Sequence, residues 1–201
     1  MNSIYEILLV RHGETDYVAK QLLQGHTDVP LNDAGRAQAS ALQSRLAVLR
    51  ERSPAIVSSD LTRAIATAEL AWPWDPPQID ARLRELNFGE FEGRTLADIR
   101  ESFGSVYADW LNAPALHRPP GGETVAEMRA RLLEWLTTLQ QGTTIVFAHG
   151  GVLRALISWV RGVTMDWSLW IPPTSAVWLR LSHDHAPVGD IEWFHPPEPT
   201  P

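Results

Sequence analysis

The 201-residue chain contains no cysteine, and this absence excludes disulfide bonds, thiolate metal sites and catalysis by a cysteine nucleophile. No stretch reaches the roughly 18 consecutive apolar residues that a membrane-spanning helix needs, and the N-terminus lacks a basic patch followed by an apolar segment. These absences predict a cytoplasmic protein without a membrane partner. The formal net charge of −7 argues against nucleic-acid binding. Any site for a small anion must be locally positive against this negative background.

The bulk composition is that of a soluble globular protein, with 44% hydrophobic and 20% charged residues. A chain of this length has room for one domain with a full core, and we predict that this domain covers residues 1–195. Part of the 15 prolines gather at residues 196–201, which predicts an extended, flexible tail.

An apolar run at residues 7–10 breaks abruptly into Arg11, His12 and Gly13. The run has the length and branching of a buried strand, and in open α/β sheets the carboxyl ends of strands line the ligand crevice. An arginine offers a planar fork that matches phosphate oxygens, and a neutral imidazole is a nucleophile at physiological pH. The stretch therefore favours phosphoryl chemistry. The alternative is a purely structural strand end, in which the arginine is solvated and the histidine caps the strand.

Strand and helix patterns alternate along the rest of the chain. Further strands are predicted at residues 55–57, 78–80, 143–148, 176–181 and 191–194. Helices are predicted behind the caps Asn32, Thr95 and Thr124, and at residues 61–70 and 152–160. The alternation predicts an α/β fold, a three-layer sandwich in which a mostly parallel central sheet carries helices on both faces.

Two other predicted strands lead into residues that suit an anion site. Arg63 falls in the first turn of a predicted helix, where a cation opposes the helix dipole by about 0.3–1 kcal/mol. An anion bound at that helix end would explain the arginine. The strand at residues 143–148 ends in His149-Gly150-Gly151, so two strands of this chain end in His-Gly.

Taken in order, these motifs resemble the histidine phosphatase superfamily, also called the phosphoglycerate-mutase-like family. The matching positions are Arg11-His12-Gly13, residues 58–64, Glu85 and His149-Gly150-Gly151, and the resemblance runs from about residue 7 to 154. It implies that His12 is the nucleophile and becomes phosphohistidine. It also implies that Arg11, Arg63 and His149 form the phosphate pocket and that Glu85 protonates the leaving group.

The same resemblance points to further phosphate-binding and pocket-lining candidates. Gln24 and Gly25 lie where members of the family place a pocket-lining loop, and Ser58 and Gly150 follow or end the strands of the pocket. One position departs from the family, because many members carry an asparagine soon after the first motif and this chain has Tyr17-Val18. Gln24 or Ser58 is a candidate to supply the missing hydrogen bond.

Elementary chemistry agrees with these implied roles. Phosphate monoester hydrolysis is among the slowest uncatalysed reactions, so charge on the equatorial oxygens must meet preorganised cations and backbone amides. A phosphoenzyme lets Glu85 act twice, first as an acid and then as a base toward water, and no metal or other cofactor is required. Glu90 and Glu92 lie near Glu85 in the sequence, so a solvated acidic loop is the alternative. Glu92 with Gly93 matches a family position that we interpret as structural.

The short stretch between Glu85 and His149 favours the phosphatase branch of the family over the phosphoglycerate mutases, which carry longer insertions there. That branch includes α-ribazole phosphatases and broad-specificity sugar and glycerate phosphatases. We predict a phosphomonoesterase for small phosphorylated metabolites, with α-ribazole 5′-phosphate or a broad substrate range as candidates. A cofactor-dependent phosphoglycerate mutase and a non-catalytic module that binds phosphorylated ligands are the alternatives. The loops at residues 15–30 and 103–122 leave the natural substrate open, and both monomer and homodimer are compatible with the sequence.

Three other features have more than one interpretation. Trp167 and Trp170 can form a lid over a substrate, a dimer patch or part of the core. Arg154 can support the pocket or lie on a surface helix. His183-Asp184-His185 and His195 suggest metal ligands, but short clusters of this kind in polar turns are usually solvated, so we predict no metal site.

Overall fold

The computed structural model describes residues 5–189 and 191–194, which form one sheet with helices packed against it. The strands are β1 (Tyr5–Arg11), β2 (Ala55–Ser58), β3 (Gln78–Ile79), β4 (Gly142–Ala148), β5 (Ala176–Leu181) and β6 (Glu192–Phe194). The α-helices are α1 (Asp16–Ala19), α2 (Asp33–Leu46), α3 (Thr62–Ala71), α4 (Leu96–Asn112), α5 (Val125–Leu136) and α6 (Gly150–Val160). Short 3-10 helices span Ala47–Arg52, Ala81–Leu83 and Gly89–Phe91.

The strands follow the order β3-β2-β4-β1-β5-β6 across the sheet. β3, β2, β4 and β1 run parallel, whereas β5 is antiparallel to β1 and β6 is antiparallel to β5. The predicted mostly parallel sheet is confirmed. The two antiparallel strands, β5 and β6, are the last two strands in the sequence.

Strand β1 lies inside the sheet and supplies side chains to both of its faces. Ile7 and Leu9 pack in the core beneath α4, α5 and α6, whereas Leu8 and Val10 pack in the core beneath α2 and α3. All four side chains are 0% exposed, and burying each one contributes about 1.5–3 kcal/mol. Helices therefore cover both faces, and the predicted three-layer sandwich is confirmed.

The predicted helix caps are present. The Asn32 side chain accepts a hydrogen bond from the Gly35 amide, and Thr95 and Thr124 each form a capping box with the acidic residue three positions on. α6 begins two residues earlier than predicted, because His149 is its extended N-cap residue and Gly150 is already helical. The amides of the His-Gly-Gly motif consequently lie at the N-terminus of that helix.

The parallel pairing brings the chemically interesting loops to one edge of the sheet. Arg11 at the end of β1 pairs with Ala148 at the end of β4, and Ser58 at the end of β2 pairs with Phe147 on the other side of β4. His12, Ser59 and His149 follow these three strand ends directly. Residues far apart in the chain therefore meet at the carboxyl edge of the sheet.

Some predictions concern segments that the structure leaves out. The proline-rich tail at residues 196–201 and the candidate metal ligand His195 lie outside the described residues. Within residues 5–189 and 191–194, no helix has both the length and the apolar character needed to cross a membrane.

Candidate active site

His12 is buried directly after β1, and its hydrogen bonding fixes which ring nitrogen is free. Its Nδ1 lies 2.6 Å from the Gly13 carbonyl oxygen, and because a carbonyl only accepts, Nδ1 carries the proton and donates. In the neutral ring, Nε2 then keeps its lone pair. Gly13 is required locally, because a Cβ there would lie 2.5 Å from the Gly35 carbonyl oxygen. The strand end therefore presents a nucleophilic nitrogen in a fixed orientation.

Arg63 connects three parts of the site from the first turn of α3. Its guanidinium donates to the Gly25 carbonyl at 2.7 Å and to the Thr27 carbonyl at 3.0 Å. Its Nε donates to His149 Nδ1 at 3.2 Å, so the proton of a neutral His149 is on Nε2, which lies 2.9 Å from Ser59 Oγ. The arginine is 0% exposed. Burying a cation is costly, and a bound anion would offset that cost.

Arg11 brings a second buried cation with spare hydrogen-bonding capacity. Its Nη1 donates to the Ile171 carbonyl, and its Nε has no hydrogen-bond partner among the described residues. A Cβ on Gly150 would lie 3.6 Å from this Nε, an ordinary van der Waals distance, so the N-terminus of α6 lies next to the guanidinium. A buried guanidinium donor without an acceptor, next to helix amides, is the arrangement expected of an anion site.

Burial and the two arginines set the protonation state of the histidines. The rings of His12 and His149 lie 5.2 Å apart between centroids. Desolvation, followed by the Arg63 charge, holds the pKa of both histidines well below the ordinary value. Burial also lowers the pKa of Arg11 and of Arg63 to about 10, so both stay cationic near pH 7. The site therefore combines neutral imidazoles with positive guanidiniums.

Glu85 lies beside the same cavity, and backbone amides hold its carboxylate. Oε2 accepts from the Gly151 amide at 2.9 Å and Oε1 from the Leu86 amide at 2.8 Å. A Cβ at position 151 would lie 2.0 Å from Oε1, so only glycine lets the carboxylate reach the helix N-terminus. Glu90 is exposed, and the carboxylate of Glu92 accepts from several backbone amides of neighbouring loops, as expected of a structural residue.

A cavity of about 410 Å³ opens over these groups. Arg11, His12, Arg63, Glu85 and Arg154 line its polar end. The rest of the wall consists mainly of aromatic and aliphatic side chains, and the aromatic ones are Phe88, Tyr107, Trp110, Trp167 and Trp170. Trp167 also packs against Trp110, with 5.3 Å between ring centroids. Trp167 and Trp170 both line the cavity. Trp167 is also packed against the core, as one of the sequence interpretations has it, whereas Trp170 is 62% exposed.

The candidate residues of the pocket loop occupy less direct positions. Gln24 lines the cavity, but its amide accepts from Thr15 Oγ1 and donates to the Val29 carbonyl, so it braces the loop. Gly25 supplies the carbonyl that Arg63 binds. Val18 also lines the cavity, so an apolar side chain stands where many family members have asparagine.

The structure places Ser58 away from the cavity that it was predicted to line. The Ser58 hydroxyl donates to the Ser59 carbonyl and does not line the cavity, because β2 continues through Ser58. Ser59, which the sequence did not single out, is the serine whose hydroxyl contacts His149. The residue that follows the end of β2 is the one that reaches His149. The predicted strand ended at residue 57, one residue too early, so this position was assigned to Ser58.

His183, Asp184 and His185 are the members of the candidate metal cluster that lie within the described residues. Within the described part of the chain, no group of three or more histidine, aspartate or glutamate side chains is placed to hold a metal ion. His185 stacks on Tyr5 with 4.6 Å between ring centroids.

The lowered histidine pKa values predict how stability depends on pH. Unfolded His12 and His149 take up protons near pH 6.5, whereas the folded chain resists protonation at both. The unfolded state therefore binds more protons below that pH, and the free energy of unfolding falls as the pH drops from about 7 to 5.5, by at most about 1.4 kcal/mol per pH unit for each histidine.

Urea unfolding in a phosphate-free buffer at several pH values measures this slope. His12→Asn should flatten it, whereas the same change at exposed His117 should leave it unchanged. An unfolding free energy that is constant between pH 7 and 5.5 would contradict the buried neutral histidines.

An α/β sheet that holds a neutral imidazole beside two buried arginines at its carboxyl edge has the arrangement expected of an anion site with a histidine beside it. The sequence matches the family described as "Histidine phosphatase superfamily (branch 1)" over residues 7–192. The chain belongs to this superfamily, as the motifs indicated.

Its relatives carry more than one activity name. A glucosyl-3-phosphoglycerate phosphatase of Mycolicibacterium vanbaalenii is 31% identical over 94% of this chain and 92% of its own. A probable phosphoglycerate mutase GpmB of Escherichia coli is 35% identical over 79% of this chain and 75% of its own. Among solved structures, Bacillus stearothermophilus YhfR has a TM-score of 0.81 and 29% identity, and covers 94% of this chain and 96% of its own. These names include both phosphatases and a mutase, so they do not select a substrate.

Proposed function

We propose that this protein is a phosphomonoesterase that hydrolyses small phosphorylated metabolites through a phosphohistidine on His12. The observation that carries the proposal is the pairing of a free His12 Nε2 with a buried Arg11 whose Nε lacks a partner among the described residues. His12 Nε2 can attack the phosphorus atom, and Arg11 Nε can donate a hydrogen bond to a phosphate oxygen. Glu85 completes the set from the same cavity.

The reaction follows from these positions in two steps. In the first, Nε2 forms a bond to phosphorus, the bond to the leaving oxygen breaks, and the Glu85 carboxyl group acts as the acid that gives that oxygen a proton. In the second, Glu85 takes a proton from water, the water oxygen binds phosphorus, and the bond to Nε2 breaks to release inorganic phosphate. Arg11, Arg63 and the Gly150 amide at the start of α6 stabilise the charge on the phosphoryl oxygens. Because arginines supply the positive charge, the proposal needs no metal ion.

The far end of the cavity favours a leaving group that contains a ring. Its walls combine aromatic with aliphatic side chains, and the buried indole N–H groups of Trp110 and Trp167 have no hydrogen-bond partner among the described residues. An aromatic face stacks on a ring, and an indole N–H donates to a hydroxyl or carbonyl oxygen. Sugar phosphates fit this description, and so does α-ribazole 5′-phosphate, which carries a sugar and an aromatic base.

Mutase activity is the second candidate, because a relative named as a probable mutase is 35% identical. Such an enzyme keeps its phosphoryl group from water and returns it to a second hydroxyl. It also binds a substrate with more than one anionic group, and Arg154 is a further cation on the cavity wall.

A substrate panel tests the proposal. The value of kcat/KM for phosphate release is measured with α-ribazole 5′-phosphate, sugar phosphates, nucleoside monophosphates, 3-phosphoglycerate and an aryl phosphate. We expect ring-containing esters to exceed 3-phosphoglycerate by about 100-fold, which equals about 2.7 kcal/mol of differential transition-state binding. Trp167→Phe, which keeps a ring but removes the N–H, should reduce that lead by about tenfold.

The other outcomes each select an alternative. Conversion of 3-phosphoglycerate to its isomer in the presence of a bisphosphate, without net phosphate release, would establish the mutase. Binding of inorganic phosphate without turnover of any ester would establish the non-catalytic module.

A further inference from the structure

Arg131 lies on α5, and its guanidinium makes a complete set of contacts with the segment that carries Glu85. Nη1 donates to the Arg82 and Arg84 carbonyls, and Nη2 donates to the Glu85 carbonyl at 2.9 Å. Nε and Nη2 also donate to the two carboxylate oxygens of Glu123 at 3.1 Å and 2.6 Å. Each of the five N–H groups of the fork therefore has an acceptor, which is an unusually complete use of an arginine.

The same cluster holds the chain on both sides of Glu85. Glu123 Oε1 also accepts from the Asn87 amide at 2.9 Å, so the carboxylate paired with Arg131 fixes the residues that follow. His26 Nε2 lies 3.0 Å from the Glu85 carbonyl oxygen and donates to it, because a carbonyl only accepts. The Glu85 carbonyl thus receives two hydrogen bonds, one from Arg131 and one from the loop that Arg63 binds.

We infer that Arg131 is a positioning residue for the acid and base of the reaction. It does not line the cavity and touches Glu85 only through the backbone. Arg131 holds the backbone at residues 82–85, and its partner Glu123 holds the Asn87 amide. The Glu85 carboxylate is thereby placed against the Gly151 amide and toward the leaving oxygen. An acid displaced by about 1 Å loses much of its effect. This inference rests on the proposed function, because it assigns Arg131 a task within that reaction.

A leaving-group comparison separates this task from a general structural one. An alkyl phosphate needs a proton on its leaving oxygen, whereas an aryl phosphate such as p-nitrophenyl phosphate departs without one. Arg131→Lys keeps the positive charge but replaces the planar fork with a point charge. We expect it to lower kcat for a sugar phosphate by about 10- to 100-fold with little change in KM. The rapid burst of p-nitrophenol that reports formation of the phosphoenzyme should stay within about threefold of wild type.

Two controls define the result. Arg129→Lys makes the same change at an exposed position of α5 and should change neither rate. Glu85→Gln should show the Arg131→Lys pattern in a stronger form, and adding Arg131→Lys to it should cause no further loss, because the two residues act through one carboxylate. If Arg131→Lys is poorly folded by circular dichroism, Glu123→Gln removes the partner carboxylate and should give the same leaving-group pattern in weaker form.

Equal losses for the burst and for the sugar phosphate, or additive losses in the double variant, would overturn the inference. A wild type that gives neither a burst nor phosphate release would instead overturn the proposed function. The two failures are therefore distinguishable in one set of measurements.

Discussion

Replacing His12 with asparagine lowers kcat/KM by about 10⁴-fold or more for every ester that the protein hydrolyses. The asparagine amide nitrogen takes the place of Nδ1 and still donates to the Gly13 carbonyl, so the strand end keeps its hydrogen bond. The change removes Nε2, the nitrogen that we propose as the nucleophile. Steady-state phosphate release by wild type and variant measures the loss.

The variant should keep its anion site while losing activity. Arg11 and Arg63 are untouched, so inorganic phosphate should raise the melting temperature of His12→Asn about as much as that of wild type. His117→Asn, at an exposed position, serves as the matched control and should be fully active. Activity of His12→Asn within tenfold of wild type would show that another group is the nucleophile.

Replacing Arg63 with lysine lowers kcat/KM by about 10³-fold, the range found when an arginine that stabilises a transferring phosphoryl group is lost. A lysine presents one ammonium group and cannot supply the guanidinium bonds to the Gly25 and Thr27 carbonyls and to His149 Nδ1 at once. The phosphoryl group loses a preorganised cation, and His149 loses the contact that sets its tautomer. The loss should fall mainly on kcat, because the charge develops in the transition state.

The matched control for this change is Arg36→Lys, at an exposed position of α2, which should leave kcat and KM unchanged. Near-ultraviolet circular dichroism of Arg63→Lys should match wild type, so that the loss reports the site and not unfolding. A well-folded Arg63→Lys variant with kcat/KM within threefold of wild type would remove Arg63 from the phosphate pocket.

The layers and element boundaries followed from local patterns in the sequence. The run at residues 7–10 is apolar on every side chain because both faces of β1 are buried. The capping boxes at Thr95 and Thr124 fixed two helix starts through residues only three positions apart. The start of α6 was placed too late, because two glycines are poor helix formers and hid the fact that His149 is the cap.

The candidate site was predictable where residues lie next to a strand end. His12 and His149 follow β1 and β4 directly, so strand detection was enough to place them together. Ser59 was missed by one position because β2 extends through Ser58. No local sequence pattern indicated the contacts of Arg131 with Glu85 or of Trp110 with Trp167. These contacts join segments more than 40 residues apart in the chain. Such contacts are set by tertiary structure, which periodicity and capping do not encode.

The most direct test of the account is to trap the phosphoenzyme. Wild type is mixed with a ³²P-labelled aryl phosphate, quenched in alkali within milliseconds to seconds, and analysed for bound phosphate. We expect up to one phosphoryl group per chain, stable in alkali and labile in acid, located by mass spectrometry on His12 and missing from His12→Asn. Rapid hydrolysis of the ester without any such label, or with the label on another residue, would contradict the proposed mechanism.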